Sequence, residues 1–131
     1  MARILVIDDD RLLRGAVELV LRLEGHDVAS VSSGRDGIAQ FRSHRFDLVA
    51  CDIFMPNMEG LETISELRGL CAELPIIAFT GGPAYANDPE STSGFLRIAG
   101  QLRRTEMLAK PFRGQELLAL VRRCLRQTVG T

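Results

Sequence analysis

The sequence predicts a doubly wound α/β fold: a five-stranded parallel sheet with helices on both faces. Three observations predict it. Short apolar runs alternate five times with stretches of helical period, the pattern of repeated strand-helix units. Two of the runs, Ile4-Leu5-Val6-Ile7 and Leu48-Val49-Ala50-Cys51, are apolar throughout, as strands buried on both faces are. Both end in acids, Asp8-Asp9-Asp10 and Asp52, and neighbouring parallel strands present their C-terminal ends at one sheet edge, where such folds bind ligands.

The first strand is expected over about Arg3 to Ile7. Leu12, Leu13, Ala16, Val17, Leu19, Val20 and Leu23 then form a helical stripe that ends at Gly25, with Asp10 placed as its N-cap. The second strand covers about Asp27 to Val31, and Ser33-Gly34 opens a second helix carrying Ile38, Ala39 and Phe41. The third strand runs from Phe46 to Cys51, and a turn from Pro56 to Gly60 leads into a helix with Leu61, Ile64 and Leu67. Pro56 fixes φ there and Gly60 is read as permitting the turn. Leu74 to Phe79 is the fourth strand, and Phe95, Leu96, Ile98, Ala99 and Leu102 have the spacing of a fourth helix. The fifth strand covers about Glu106 to Ala109, and Leu117, Leu118, Val121, Cys124 and Leu125 mark the closing helix.

At 131 residues the chain is expected to form a single domain over 1–131 with no separate output domain; a chain of this length buries roughly two-thirds of its unfolded surface. A formal net charge of −1 provides no field to draw it onto nucleic acid or an anionic membrane. Arg122, Arg123 and Arg126 read as a solvated face complementing the last helix's C-terminus. With no signal peptide and no bilayer-length apolar run, a cytoplasmic protein is expected. Cys51, Cys71 and Cys124 suggest neither a disulfide framework nor a zinc site and are read as small buried residues, Cys51 quieted by burial. His26 and His44 lie outside the acidic cluster and are read as surface residues.

The fourth strand ends in Thr80 and the fifth in Lys110-Pro111. Three acids, a hydroxyl and an amine therefore converge. Hard oxygen ligands suit a divalent cation, and an ammonium with a hydroxyl suits phosphoryl oxygens.

These residues carry a resemblance to the receiver domains of two-component response regulators. The matching pattern is Ile7-Asp8-Asp9 after the first strand, Asp52-Ile53-Phe54-Met55-Pro56 with Gly60 after the third, Thr80 after the fourth and Lys110-Pro111-Phe112 after the fifth. It spans about Arg3 to Leu125. The resemblance implies a flavodoxin-like (βα)5 fold. It also implies that Asp52 is the phosphoacceptor, that Asp8, Asp9, Asp52 and the backbone carbonyl of Phe54 hold Mg²⁺, and that Thr80 and Lys110 contact the phosphoryl group. The implied donor is a sensor histidine kinase or a histidine phosphotransfer protein. The implied output is a protein target bound on the face of the fourth helix and fifth strand, and the implied class is signalling protein rather than turnover enzyme.

The chain departs from the family pattern in three places. Met107 stands where the family usually has a Tyr or Phe, and Leu102-Arg103-Arg104 replaces a stretch of small residues. The span from Thr80 to Lys110 is also longer than usual, and residues 81–95, with Tyr85, are read either as a tolerated surface insertion or as a candidate lid over the site. Two other classes fit part of the pattern. In a haloacid-dehalogenase-type phosphatase Asp8 would be nucleophile and Asp10 acid, but the late acidic pair such enzymes need is lacking, since Glu116 is the only acid after Lys110. An unphosphorylated binding module with the receiver fold would not need the complete set of acids, Thr80 and Lys110.

Overall fold

Five parallel strands form one sheet in the order β2-β1-β3-β4-β5. The computed structural model describes residues 1–55, 59–81 and 104–129, with side chains in the last stretch as far as Arg126. The elements are β1 (Arg3–Ile7), α1 (Arg11–Leu23), β2 (Asp27–Val31), α2 (Gly34–Ser43), β3 (Leu48–Asp52), α3 (Glu59–Leu70), β4 (Ile76–Gly81), β5 (Thr105–Lys110) and the closing helix α4 (Gly114–Val129). The expected helix over Phe95 to Leu102, the Pro56 turn and the candidate lid beyond Gly81 lie outside the described residues.

The strands alternate between two cores, as the two-residue period of a pleated strand requires. Leu5, Ile7, Val49, Cys51, Ile76 and Ala78 pack with Ile38, Ile64 and Leu67 of α2 and α3. Ile4, Val6, Leu48, Ala50, Ile77 and Phe79 pack with Val17, Leu21, Leu117 and Val121 of α1 and α4. Helix starts follow the expected chemistry. The Asp10 side chain accepts the N–H groups of Leu12 and Leu13, and the Ser33 hydroxyl accepts that of Asp36.

Three strand boundaries differ from expectation. β3 begins at Leu48 rather than Phe46 because the Asp47 side chain, not a backbone carbonyl, accepts the Arg3 N–H at 2.8 Å, so the ladder starts two residues later. Phe46 still packs in the core, against Phe41. β4 starts at Ile76 because Pro75 has no N–H and Leu74 bonds back to the Cys71 carbonyl, and it runs on through Thr80 and Gly81. β5 extends one residue beyond expectation at each end.

Three side-chain expectations are corrected. Leu12, Leu19 and Leu23 of the predicted α1 stripe face outward, at 86%, 59% and 79% exposure. Gly60 lies inside α3 rather than in a turn; a Cβ there would collide with the backbone carbonyls of Asp52 and Ile53. Glycine is needed because this helix closes onto the end of β3. His26 is half-buried, and its Nδ1 accepts the Ala2 N–H at 3.1 Å. Burial holds its pKa below the usual histidine value.

Arg68, which the pattern does not single out, fastens the end of α3. Its Nη1 donates to the carbonyls of Cys71, Ala72 and Leu74 at 3.3, 3.0 and 2.6 Å, and its Nη2 to Thr105 Oγ1 at 3.1 Å. One guanidinium thus closes a helix C-terminus and ties it to β5. Arg68→Ala is expected to lower stability by about 1–2 kcal/mol, since the stranded carbonyls regain only part of their solvation. Urea unfolding would measure the midpoint shift.

Candidate functional site

The order β2-β1-β3-β4-β5 places β1 and β3 side by side at the centre, with their C-terminal ends at the point where the chain's winding reverses. Asp8 follows directly on β1 and Asp52 is the last residue of β3. Carboxylate oxygens of Asp8, Asp9 and Asp52 lie within 4.8 Å of one another. Asp8 is fully buried, Asp52 is 4% exposed and Asp9 is open to solvent.

Lys110 reaches this group from two strands away. Asp52 pairs with Phe79 and Gly81 pairs with Lys110, so Gly81, which has no side chain, lies between the lysine and the acid. Gly81 has φ 77°, a conformation glycine adopts without strain. Lys110 Nζ stands 3.1 Å from Asp52 Oδ2 and 3.3 Å from Asp8 Oδ2. The bond to Pro111 is cis, and Phe112 packs on Phe79 with ring centroids 5.0 Å apart, anchoring the segment that follows the lysine.

Each acid is held differently. Asp52 Oδ1 accepts the Phe54 N–H at 3.0 Å, leaving Oδ2 turned to Lys110. Asp8 Oδ1 accepts the Asp10 N–H at 2.9 Å, and Arg14 Nη1 donates to the Asp8 carbonyl at 2.8 Å. Asp8 Oδ2 is sealed from solvent and, despite the nearby ammonium, receives no aligned hydrogen bond from the described residues. Burial pushes the Asp8 carboxyl up to about 6; the Asp10 N–H opposes this, the Asp52 charge adds to it, and Lys110 draws it back. For Lys110 burial acts to lower the pKa, but Asp52 and then Asp8 outweigh it, so the ammonium is held more firmly than usual. Burial likewise pushes the Cys51 thiol well up, which leaves it unreactive.

An under-satisfied, buried carboxylate oxygen beside two further carboxylates fits a hard divalent cation. Asp10, by contrast, is occupied as the α1 cap, which removes the acid that the dehalogenase-type reading requires. Thr80 stands half-buried in β4 opposite Ala109, with no hydrogen bond to the acids or Lys110 among the described residues. Nothing in a helical arginine signals the bond that Arg14 makes back to the preceding strand end; its spacing of six residues from Asp8 is the one available clue.

The family model for the response regulator receiver domain matches residues 4–122. The chain belongs to the response-regulator receiver family. It is 38% identical over 127 residues to the response regulator MprA of Mycolicibacterium vanbaalenii, covering 96% of this chain and 51% of that protein. The match to MprA of Mycobacterium tuberculosis is 37% with the same coverage. The chain thus spans about half the length of the curated relatives it matches. Among solved structures, the Vibrio cholerae chemotaxis protein CheY4 superposes with a TM-score of 0.81 at 29% identity, covering 95% of this chain and 99% of that one. A CheY-like receiver domain protein from Methanospirillum hungatei gives 0.81 at 25% identity, covering 97% and 95%. The receiver family is a signalling family of two-component systems, and the observed sheet is its flavodoxin-like fold.

Proposed function

We propose that the chain is a Mg²⁺-dependent phosphoacceptor that takes a phosphoryl group from a phosphohistidine, on a sensor histidine kinase or a histidine phosphotransfer protein, onto Asp52. The observation that carries this reading is the state of Asp52: a nearly buried carboxylate with Oδ1 tied to the Phe54 N–H and Oδ2 within 3.1 Å of an ammonium. The fixed oxygen orients the group, so Oδ2 is the attacking atom. As the Oδ2–phosphorus bond forms, the phosphorus–nitrogen bond to the donor imidazole breaks and the ring leaves with its electron pair, taking a proton from solvent. Lys110 then exchanges Asp52 Oδ2 for a phosphoryl oxygen, and Thr80 donates to another.

Asp8, Asp9, Asp52 and the Phe54 carbonyl are the residues that would hold Mg²⁺, which when bound supplies positive charge against the carboxylates and the phosphoryl oxygens. Arg14 and the Asp10 N–H keep the β1 end in place for that role. The changed contacts of Lys110 and Thr80 alter β5 and the surface beside it, where a protein target binds. The receiver acts in the cytoplasm. Among the described residues no helix is long and apolar enough to cross a membrane.

Intact-mass measurement after incubation with acetyl phosphate and Mg²⁺ tests the reading. One labile phosphoryl group per chain is expected, and continuous phosphate release with no adduct would sink it. Lys110→Ala is expected to retain some uptake but to lose the response of β5. Coupling of about 1–3 kcal/mol, read as a change in hydrogen exchange across residues 105–110 on adding beryllofluoride, should vanish in the variant. Lys110→Arg should not restore it, because a planar fork does not replace a compact ammonium.

A further inference from the structure

Next to the acidic cluster, the starts of α2 and α3 lock together. Gly34, the first residue of α2, gives its N–H to Glu59 Oε1 at 2.6 Å, across 25 residues of chain. A carboxylate in that place satisfies an orphan donor and faces the positive end of the helix. Thr63, one turn further along α3 and only 4% exposed, donates its hydroxyl to the Glu59 carbonyl at 2.6 Å. That hydroxyl lies so close to Gly34 that a Cβ there would run into it. Glu59 opens α3, yet its carboxylate bonds to α2. The two helix starts are thereby fastened as one unit.

The same turn of α3 rests on the acceptor. A Cβ on Gly60 would strike the carbonyls of Asp52 and Ile53, so the backbone that follows Glu59 touches the peptide carrying the proposed nucleophile. On the other side, the Ile53 N–H donates to the Phe79 carbonyl of β4 at 3.1 Å. The end of β3 is thus held by a ladder bond on one side and by the start of α3 on the other. The second hold is only as firm as the anchorage of that turn. Leu61 and Ile64 bury the body of α3 in the core, and Glu59 fixes its end.

We propose that Glu59 is a positioning residue for phosphoryl transfer. Bound to the start of α2, it keeps the first turn of α3 seated on Asp52 and Ile53. That seat holds the Asp52 carboxylate and the Phe54 backbone in place beside Asp8, Asp9 and Lys110. The role rests on Asp52 being the phosphoacceptor, and Glu59 acts through the backbone without touching the phosphoryl group.

Three variants test this, compared where circular dichroism shows each fully folded. Uptake from acetyl phosphate and Mg²⁺ is followed by intact mass, and amide exchange is followed in the metal-free protein. Glu59→Ala should slow uptake roughly tenfold, as small misplacements of a reacting group do. It should also speed exchange of the Phe54 N–H, the donor to Asp52 Oδ1, by roughly tenfold. Glu59→Gln keeps an oxygen for Gly34 and should stay within about threefold of the native chain in both measurements. Ser33→Ala removes the other cap of α2, the hydroxyl that accepts the Asp36 N–H at 3.1 Å, without releasing α3. Its uptake and Phe54 exchange should match the native chain. Native values in Glu59→Ala overturn the proposal. Equal slowing in Ser33→Ala also overturns it, since the effect is then general stability, and so does a Glu59→Gln variant as slow as Glu59→Ala. If the native chain takes up no phosphoryl group, the acceptor reading itself fails, while the Phe54 exchange of Glu59→Ala still decides whether Glu59 holds the end of β3.

Discussion

Asp52→Asn is expected to abolish phosphoryl uptake, by a factor of at least ~100, while the fold remains intact. The amide is nearly isosteric with the carboxylate, and its Oδ1 can still accept the Phe54 N–H that now lies at 3.0 Å. What is lost is the anionic oxygen 3.1 Å from Lys110. The lysine keeps Asp8 Oδ2 as a charge partner at 3.3 Å, so no ammonium is left buried and unpaired. Circular dichroism should therefore show an unchanged fold, and intact mass after acetyl phosphate and Mg²⁺ should show no adduct. An undiminished phosphoryl adduct, on Asp8 or Asp9 for instance, would remove Asp52 from the acceptor role.

Much of this architecture is legible in the sequence because a parallel sheet buries its strands on both faces, which leaves apolar runs that stop where the ligand edge begins. β1 and β2 fall where the hydrophobicity places them, and the acids at Asp8, Asp9 and Asp52 do come together. The strand ends were less legible. Whether Asp47 joins the ladder depends on a side chain capturing the Arg3 N–H, and that competition leaves no mark on a hydrophobic pattern. The α1 stripe misled for a related reason. Leucines at 12, 13, 19, 21 and 23 surround more than half the helix, and the period alone does not say which side meets the sheet. The unequal states of the two buried acids were hidden as well. The sequence gives no distinction between Asp8, with one oxygen lacking an aligned donor, and Asp52, with both oxygens engaged. That distinction comes from the reach of Lys110 across β4.

The buried carboxyl of Asp8 should make the metal-free protein less stable as the pH rises. Its pKa is about 6 in the folded chain against 3.8 as the ordinary value, so the folded state holds a proton that the unfolded chain releases first. Below about pH 4 both states are protonated and the group costs nothing; between about 4 and 6 the unfolded chain gains by ionising; above that the penalty is complete, on the order of 3 kcal/mol. Asp8→Asn removes the ionisation but keeps an oxygen for the Asp10 N–H, now accepted at 2.9 Å. The stability difference between the variant and the native chain should thus grow in the variant's favour from about pH 4 to about pH 7, by roughly 2–3 kcal/mol, measured by urea unfolding in chelator. Added Mg²⁺ should reverse the order at neutral pH. It stabilises the native chain by binding only the folded acids, and it gains little on the variant. The Mg²⁺ effect on the native chain should fade toward pH 5, where protons occupy the same carboxyl. A flat difference across this range would mean that Asp8 ionises normally, and an undiminished Mg²⁺ effect in Asp8→Asn would place the cation elsewhere.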